Sequence, residues 1–455
     1  MHFSYESAVS GLLALGHELT GRRKFDLEHM RVLAKALGDP QRRLPSVLIA
    51  GTNGKGSTAA TLASIVDAAG YRTGLYTSPH LVDINERIRI GREPIGNLEL
   101  AEIYGRVEGE AQRLTAAGAL PWHPSFFEML TAMMFEHFAA NRVELAVLEV
   151  GMGGRLDATN IADPCVSVIT DIDLDHQSFL GNTLTEIARE KAGILRPNGV
   201  AVLLPQHPEV NDALGQALIE CNARPVSGVN YMPPMTPLAE SESAGTARRS
   251  YPVVYMGREI TVSSPLVGRH QLRNVALAVA AAEQLNSFGF SIFPEHVEAG
   301  VRNTQWPGRF QVLPATADLP ETVMDVAHNP AGAWALRSAL SSMYEGRPLT
   351  LIFGVMRDKA IREMAEILFP LAERVIATHA QSPRAASPDE IAEAARGTGT
   401  EVLREEDVPA AIARAKAEIR GENGVLVVAG SVYIVGEALA TLMHRHRDQP
   451  AGVTV

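Results

Sequence analysis

The sequence is short of cysteine, of positive charge and of long apolar runs, and each shortage removes a class of protein. Only Cys165 and Cys221 occur in 455 residues, with no metal-type spacing. Neither a disulfide framework nor a cysteine-ligated zinc site is indicated; the pair reads as buried thiols, and a reducing cytoplasm is the expected setting. Lysine plus arginine number 41 against 52 aspartate plus glutamate, a net charge of −11, which argues against a broadly basic nucleic-acid binder and against an anionic membrane partner. Any anionic substrate must then be held by local cations and backbone N–H groups. No apolar stretch reaches membrane-spanning length, and Met1 to Glu18, interrupted by Glu6, His17 and Glu18, lacks the basic-then-apolar order of a secretion signal. Repeats of solenoid length are absent as well. The apolar share is ordinary for a globular protein, and the length calls for two or three domains.

What is present is alternation. Buried-strand candidates at Val47–Ala50, Arg72–Tyr76, Leu145–Val150, Val166–Thr170 and Val200–Leu204 are each followed by a helical pattern, which predicts a mainly parallel sheet covered by helices. Gly228–Ser250, with its Met-Pro-Pro-Met-Thr-Pro and Glu-Ser-Glu-Ser runs, reads as a solvent loop. Short alternating strands return over Tyr251–Val262, and an alanine-rich helix over His270–Leu285 closes the first domain. A linker is expected around Asn303–Gly308. Beyond it, strands at Thr322–Val326, Leu349–Phe353, Arg374–Thr378 and Val425–Ala429, with a helix from Ala331, predict a second unit. The expected organisation is α/β: a phosphate-loop-type, mainly parallel domain over residues 1–303 and a smaller, Rossmann-like α/β domain over 304–455. A cleft between two such domains is a common substrate site.

Ala50-Gly51-Thr52-Asn53-Gly54-Lys55-Gly56-Ser57-Thr58 forms a glycine-rich turn between the first strand and a helix-like stretch, Ala59–Ala69. Glycines at 51, 54 and 56 let the backbone approach an anion, and N–H groups at a helix start point at it. Lys55 adds a mobile positive charge, while Ser57 and Thr58 offer hydroxyls to a Mg²⁺ bridging phosphates. The match to G-x-x-x-x-G-K-[ST] is imperfect, because Ala50 replaces the first glycine and Gly56 stands where the hydroxyl residue should follow the lysine. The competing reading is an ordinary glycine turn.

Glu149 closes a strand where open α/β sheets place their ligands. It can be a metal ligand, an orienting group for metal-bound water, or a satisfied polar residue at a strand end. In the glycine-rich loop that follows, Arg155 and Asp157 would then face a bound substrate. Asp171-Ile172-Asp173-Leu174-Asp175-His176 concentrates three carboxylates and an imidazole beyond the next strand, a loop able to ligate a divalent cation or simply solvated. A helix over Thr183–Leu195 carries Lys191, by itself a surface lysine.

Together, Ala50–Thr58, Thr77-Ser78-Pro79-His80-Leu81 with Asn85-Glu86-Arg87-Ile88, the Gly151–Asn160 loop, and Asp175-His176 through Glu190-Lys191-Ala192-Gly193-Ile194 resemble folylpolyglutamate synthase and dihydrofolate synthase, within the superfamily of ATP-dependent Mur amide ligases. The resemblance continues through Trp306-Pro307-Gly308-Arg309-Phe310-Gln311, Asp325-Val326-Ala327-His328-Asn329-Pro330, Phe353-Gly354 with Asp358-Lys359, and Gly430-Ser431-Val432-Tyr433, and so covers nearly the whole chain. The Gly56-Ser57 departure is itself usual in that family. The resemblance implies that Gly51, Thr52, Asn53, Gly54, Lys55, Gly56, Ser57 and Thr58 hold ATP, with Lys55 on its phosphates. It implies Ser57, Ser78 and Glu149 around a first Mg²⁺, His176 serving a second, and Lys191 at a position that family members carry as a carbamate. Asn274 and Arg309 would contact the nucleotide, and Asp325 and His328 would close over the nucleotide and the incoming amino acid. Ser431 falls on the amino-acid side. Phe127 belongs to a Phe-Glu motif lining the pterin side, although a Phe pair at a helix start is otherwise core.

The implied activity is ATP-dependent addition of L-glutamate to dihydropteroate, to folate (poly)glutamates, or to both, through an acyl phosphate. Gly153-Gly154-Arg155-Leu156-Asp157 is similar to bacterial members that do both. The implied cofactors are ATP, two Mg²⁺, a carbamate on Lys191 and a monovalent cation. The implied setting is a cytoplasmic monomer acting on small molecules, with neither nucleic acid nor membrane as partner. Two readings compete. Another Mur-type ligase acting on a cell-wall nucleotide precursor would differ in its acceptor. A phosphate-loop ATPase or switch would turn over ATP without any acid and leaves Glu149, His176 and Lys191 unexplained.

Overall fold

The computed structural model describes residues 3–16, 26–234, 249–419 and 423–447. Two sheets dominate it. β1 (Ser46–Ala50), β2 (Thr73–Tyr76), β3 (Ile88–Ile90), β4 (Glu93–Pro94), β5 (Leu145–Glu149), β6 (Val166–Ile169), β7 (Val200–Leu203) and β8 (Arg224–Ser227) form the first, in the order β4-β3-β2-β5-β1-β6-β7-β8. From β2 to β8 all neighbours are parallel, and β3 and β4 form an antiparallel edge. Successive side chains of a strand point to opposite faces, and here both faces are covered. Val47 and Ile49 join a core with the helices Lys55–Ala68 and Arg269–Leu285, while Leu48 and Ala50 join another with the helix Phe126–Ala140. This double burial is why β1 after Ser46 and β5 before Glu149 read as unbroken apolar runs.

β9 (Arg249–Tyr255) and β10 (Arg258–Ser264) make an antiparallel hairpin. β11 (Gln311–Leu313), β12 (Glu321–Asp325), β13 (Leu349–Phe353), β14 (Arg374–Ala377), β15 (Val402–Arg404) and β16 (Val425–Ala429) build the second sheet, in the order β11-β12-β16-β13-β14-β15. It is parallel except for β11. Its two faces carry their own apolar clusters, one around Phe353 and Phe369, the other around Ile352 and Leu426.

The central strands lie where the apolar runs place them, and the edges do not. β4 is exposed at both positions and β8, Arg-Pro-Val-Ser, is mostly exposed, so neither has the run that marks a buried strand. The segment expected to be a solvent loop from Gly228 needs correction at both ends. Gly228–Tyr231 is a 3₁₀ turn whose Tyr231 is buried and donates its hydroxyl to Glu283, and β9 already begins at Arg249. The intervening 235–248 lie outside the described residues, as do 17 and 18 of the N-terminal segment. The helix holding Lys191 spans Leu184–Ala192; a capping box at its start has Thr183 Oγ1 accepting from the Glu186 amide at 3.2 Å and the Glu186 carboxylate accepting from the Thr183 amide at 3.1 Å. Cys165 and Cys221 are free and half-buried rather than fully buried. Among the described residues no helix is long and apolar enough to cross a membrane.

Close backbone contact anchors the helix that follows the glycine-rich turn. A Cβ added to Gly300, in the helix Pro294–Arg302, would stand 2.3 Å from the Cα and 2.7 Å from the amide nitrogen of Ile65. Gly300→Ala is therefore expected to push the two helices apart and cost about 1–3 kcal/mol. Thermal unfolding checks this, and an unchanged midpoint would show that the two helices can yield.

Candidate active site

The strand order places the crevice. β1 lies between β5 and β6, with Ile49 opposite Glu149 and Ala50 opposite Ile169, so the turn after β1, the acid ending β5 and the acidic loop after β6 emerge side by side at one carboxyl edge. The turn is fixed by its neighbour. The amides of Thr52 and Asn53 donate to the carbonyl of Asp171 at 2.8 and 3.1 Å, and the Asp171 carboxylate is held by Arg273 at 2.6 Å. Gly54, at φ 90°, starts the helix Lys55–Ala68, and a Cβ there would lie 2.1 Å from Asn274 Oδ1. The first-turn amides of that helix have no intrahelical acceptors and form an anion seat. Lys55 Nζ donates to the Thr52 carbonyl at 3.2 Å.

Gly56 shows why the usual phosphate-loop pattern is broken. A Cβ there would stand 2.6 Å from Cζ2 of Trp306, in the segment leading to the second sheet. The indole takes the space of the expected side chain, and the hydroxyl falls one residue later, on the buried Ser57. Thr58 is not brought to the crevice: its side chain is fully buried in the helix packing and its hydroxyl has no hydrogen-bond partner.

Around this seat the charges are tightly set. Glu149 is buried and its Oε2 accepts from the Ser78 amide at 3.0 Å. Lys191 is also buried rather than on the surface, and Nζ donates to the Gly51 carbonyl at 2.7 Å. Desolvation and the nearby Lys55 draw its pKa down to about 7. His176, in a left-handed conformation at φ 50°, is held at a pKa of about 4 by burial; Asp175 opposes the shift, and Lys359, Lys55 and Lys191 add to it. Its ring is thus neutral at physiological pH, the form that ligates metals.

The second sheet supplies the opposite wall from its own strand ends. Asp325 closes β12, accepts from the Phe310 amide at 2.8 Å, and is pushed up to a pKa of about 6 by burial despite the adjacent Arg309. His328 donates Nδ1–H to the Val326 carbonyl at 2.9 Å, leaving Nε2 facing Asp175 at 3.9 Å. Hydrogen bonds also join the walls: Lys359 Nζ to Asp175 Oδ1 at 2.8 Å, and Asn329 Nδ2 to Asn53 Oδ1 at 3.0 Å. Burial disfavours the Asp175 carboxylate, yet His176 and Lys359 hold its pKa well below the usual range.

These groups line a cavity of about 420 Å³ that includes Gly51–Ser57, Ser78, Glu149, His176, Lys191, Asn274, Arg309, Asp325, His328 and Ser431. A second cavity, about 570 Å³, opens beside it and is lined by Met30, Trp122, Phe126, Phe127 and Phe179 among others. The two share Gly151, Met152, Gly153 and His176. Phe127 sits against Gly151, where a Cβ would meet its Cζ at 2.5 Å, while Phe126 lines the cavity and also packs into the core. Arg155 lines this second cavity but is paired with Glu190 at 2.8 Å. The Asp157 carboxylate is spent on the loop itself, accepting from the Met152 and Thr159 amides at 3.0 Å each. Sequence reasoning missed Asn329 and Lys359 as site residues although their motifs were in view, and it missed His29 and Trp122, which no motif marks.

The oxygens of Ser57, Ser78 and Glu149 beside a phosphate seat suit Mg²⁺, which takes one or two carboxylates and completes its shell with phosphate and water. Among the described residues no group of three or more His, Cys, Asp or Glu side chains is placed to hold a metal ion by itself.

Two mainly parallel sheets whose carboxyl edges face each other, one of them bearing a phosphate loop, form the architecture of a Mur-type ligase. Sequence comparison agrees: the Mur ligase middle domain matches residues 125–282, and the Mur ligase, glutamate ligase domain matches residues 308–432. The dihydrofolate synthase/folylpolyglutamate synthase of Bacillus subtilis is 30% identical over 92% of this chain and 96% of its own. The crystal structure of Mycobacterium tuberculosis folylpolyglutamate synthase complexed with ADP and AMPPCP superposes with a TM-score of 0.84 at 34% identity, covering 96% of this chain and 98% of that one. E. coli FolC in complex with DHPP and ADP gives 0.81 at 28% identity, over 98% and 100% of the two chains. The chain belongs to the dihydrofolate synthase/folylpolyglutamate synthase family.

The contact between Gly56 and Trp306 can be checked directly. Gly56→Ser, which restores the usual phosphate-loop residue, is expected to displace the indole, shift the tryptophan emission and lower ATP turnover about tenfold or more. Turnover and emission like those of the unaltered chain would show that the space is not contested.

Proposed function

We propose that the chain is an ATP-dependent ligase that joins L-glutamate to dihydropteroate and to folate or its polyglutamates. The observation that carries the reading is the wall shared by the two cavities, Gly151–Gly153 and His176. One cavity is built for phosphates; the other offers aromatic and apolar walls to a flat heterocycle. An acid whose ring lies in the second brings its carboxylate to the shared wall, within reach of the γ-phosphate over Gly54–Ser57.

A carboxylate oxygen attacks the γ-phosphorus, the bond to the β-phosphate oxygen breaks, and ADP and an acyl phosphate result. The amine of glutamate then attacks the acyl carbon, the carbon–nitrogen bond forms, phosphate leaves, and the amine proton passes to the departing phosphate or to solvent. The chain's part is positioning and charge compensation. Lys55 and Arg309 face the transferring phosphoryl group, Asn274 borders the nucleotide, and His328 and Ser431 border the incoming amino acid. Mg²⁺ held by Ser57, Ser78 and Glu149, with a second ion at His176 and Lys191, would offset the repulsion between carboxylate and γ-phosphate. The Lys359–Asp175 and Asn329–Asn53 contacts close the cleft against water, which would otherwise hydrolyse the acyl phosphate. We take residues 1–303 and 304–455 as the two domains and the active form as a cytoplasmic monomer.

Lys191 is read as a carbamate. A buried amine with a pKa near 7 is substantially neutral at physiological pH and free to add CO₂, and the product places an anionic oxygen ligand next to Lys55. Since only the neutral amine reacts, incorporation of labelled CO₂, measured by NMR at fixed dissolved CO₂, should rise as pH passes upward through about 7. Lys191→Arg should abolish the signal and lower kcat by about 10-fold to 100-fold. An unchanged carbamate signal in that variant would place the adduct elsewhere.

The reaction itself is tested by labelling the acceptor carboxylate with heavy oxygen. One labelled oxygen should appear in the released phosphate; its absence would sink the acyl-phosphate route. ADP release should require an acid and glutamate together, with dihydropteroate and tetrahydrofolate each serving. A muramyl nucleotide should not replace them.

A further inference from the structure

Three segments meet at one side chain in the wall of the second cavity. His29, in the helix Leu27–Ala36, is buried between two oxygens: Nδ1 is 2.9 Å from Glu128 Oε1 and Nε2 is 3.0 Å from the carbonyl oxygen of Trp122. A carbonyl has no proton to give, nor has an ionised carboxylate, and a neutral imidazole carries a single N–H. Both contacts are satisfied together only by the doubly protonated ring.

Its partners are fixed independently. Glu128 Oε2 accepts from the amide and hydroxyl of Ser125 at 2.8 and 2.7 Å, the capping box of the helix Phe126–Ala140. The imidazole also stacks on the indole of Trp122, with centroids 5.5 Å apart and planes at 28°, where a cation gains from the ring face. Burial opposes the charge, but the hydrogen bond and charge of Glu128 outweigh it. The ring's pKa therefore stands above its ordinary value, and that of Glu128 stands below its own because His29 and Ser125 outweigh burial there. Asp26, at the start of the same helix, acts in the same direction. The turn Ala158–Ile161, packed on that helix, brings only its cap Asp157, already spent on Met152 and Thr159. Across on the helix Asn97–Ala116, Glu108 is engaged by His123 at 3.1 Å.

We propose that the His29 imidazolium is a positioning group for the acceptor acid: it pins Trp122 to the start of the helix Phe126–Ala140, and loss of its proton loosens that wall and weakens binding of the acid. The proposal rests on placing the acceptor in the second cavity. A group whose folded-state pKa is raised gives its full stabilisation below about 6.5 and loses it as pH rises through the folded-state value.

The test uses the full chain with ring-labelled histidine, His29 being assigned by the signal missing from His29→Asn. At neutral pH both ring nitrogens should be protonated, and KM for dihydropteroate should rise about fivefold or more as the ring titrates, while KM for ATP stays level. His29→Asn should show the raised KM throughout, with no step at that pH and a smaller change in kcat. A neutral ring at neutral pH, or an acid KM that keeps its step in His29→Asn, overturns the proposal. If the variant does not fold, the coincidence of the ring titration and the KM step in the unaltered chain decides. If saturating acid leaves the His29 signals unmoved although the ring is charged, the placement of the acceptor fails and the assigned role fails with it.

Discussion

Everything in this molecule follows from covering both faces of two parallel sheets. A strand buried on both sides can carry no charge along its length, so β1, β5, β13 and β16 are apolar at nearly every position. Polar chemistry is displaced to the points where strands run out. The first sheet exposes Gly51–Ser57, Glu149 and His176 there, and the second exposes Asp325, Lys359 and Ser431. With the two carboxyl edges turned toward each other, the cleft is a product of how each core is built.

The crevice so formed concentrates cations in a chain that is acidic overall. Lys55, Lys191, Arg309 and Lys359 all line one cavity of about 420 Å³, and the charge of Lys191 is weakened by burial and by Lys55. Clustered cations of this kind favour polyanionic ligands. The acids present serve a different end: Asp175 ties the two walls through Lys359, and Asp171, its carboxylate held by Arg273, braces the phosphate turn through its carbonyl. His176, held neutral by burial, adds no charge to the set.

How far this was legible in the sequence depended on whether a residue's environment is local. The central strands showed themselves because double burial leaves an unbroken apolar run, and the phosphate turn because its glycines are consecutive in sequence. β4 and β8 stayed hidden because an exposed edge strand needs no such run. Among site residues, Glu149 was readable from its place at a strand end. Lys191 looked like a surface lysine until the family resemblance marked it, since its burial comes from contact with Gly51, far away in the chain. Asp157 shows the converse: it lines the second cavity, but only the fold reveals that its oxygens also accept from its loop neighbours Met152 and Thr159. His29 lay in a stretch with no motif, and only tertiary contacts with Trp122 and Glu128 give it meaning.

The indole of Trp306 against Gly56 has a consequence for how this chain can vary. The two positions fill a single volume, although one begins the phosphate helix and the other lies in the passage to the second sheet. Cores tolerate exchange when total volume is kept, so growth at 56 is admissible only with shrinkage at 306, and the pair is non-additive by construction. The irregular phosphate loop and the connecting segment are thus one heritable unit, and a graft of either into another ligase would have to carry the other with it.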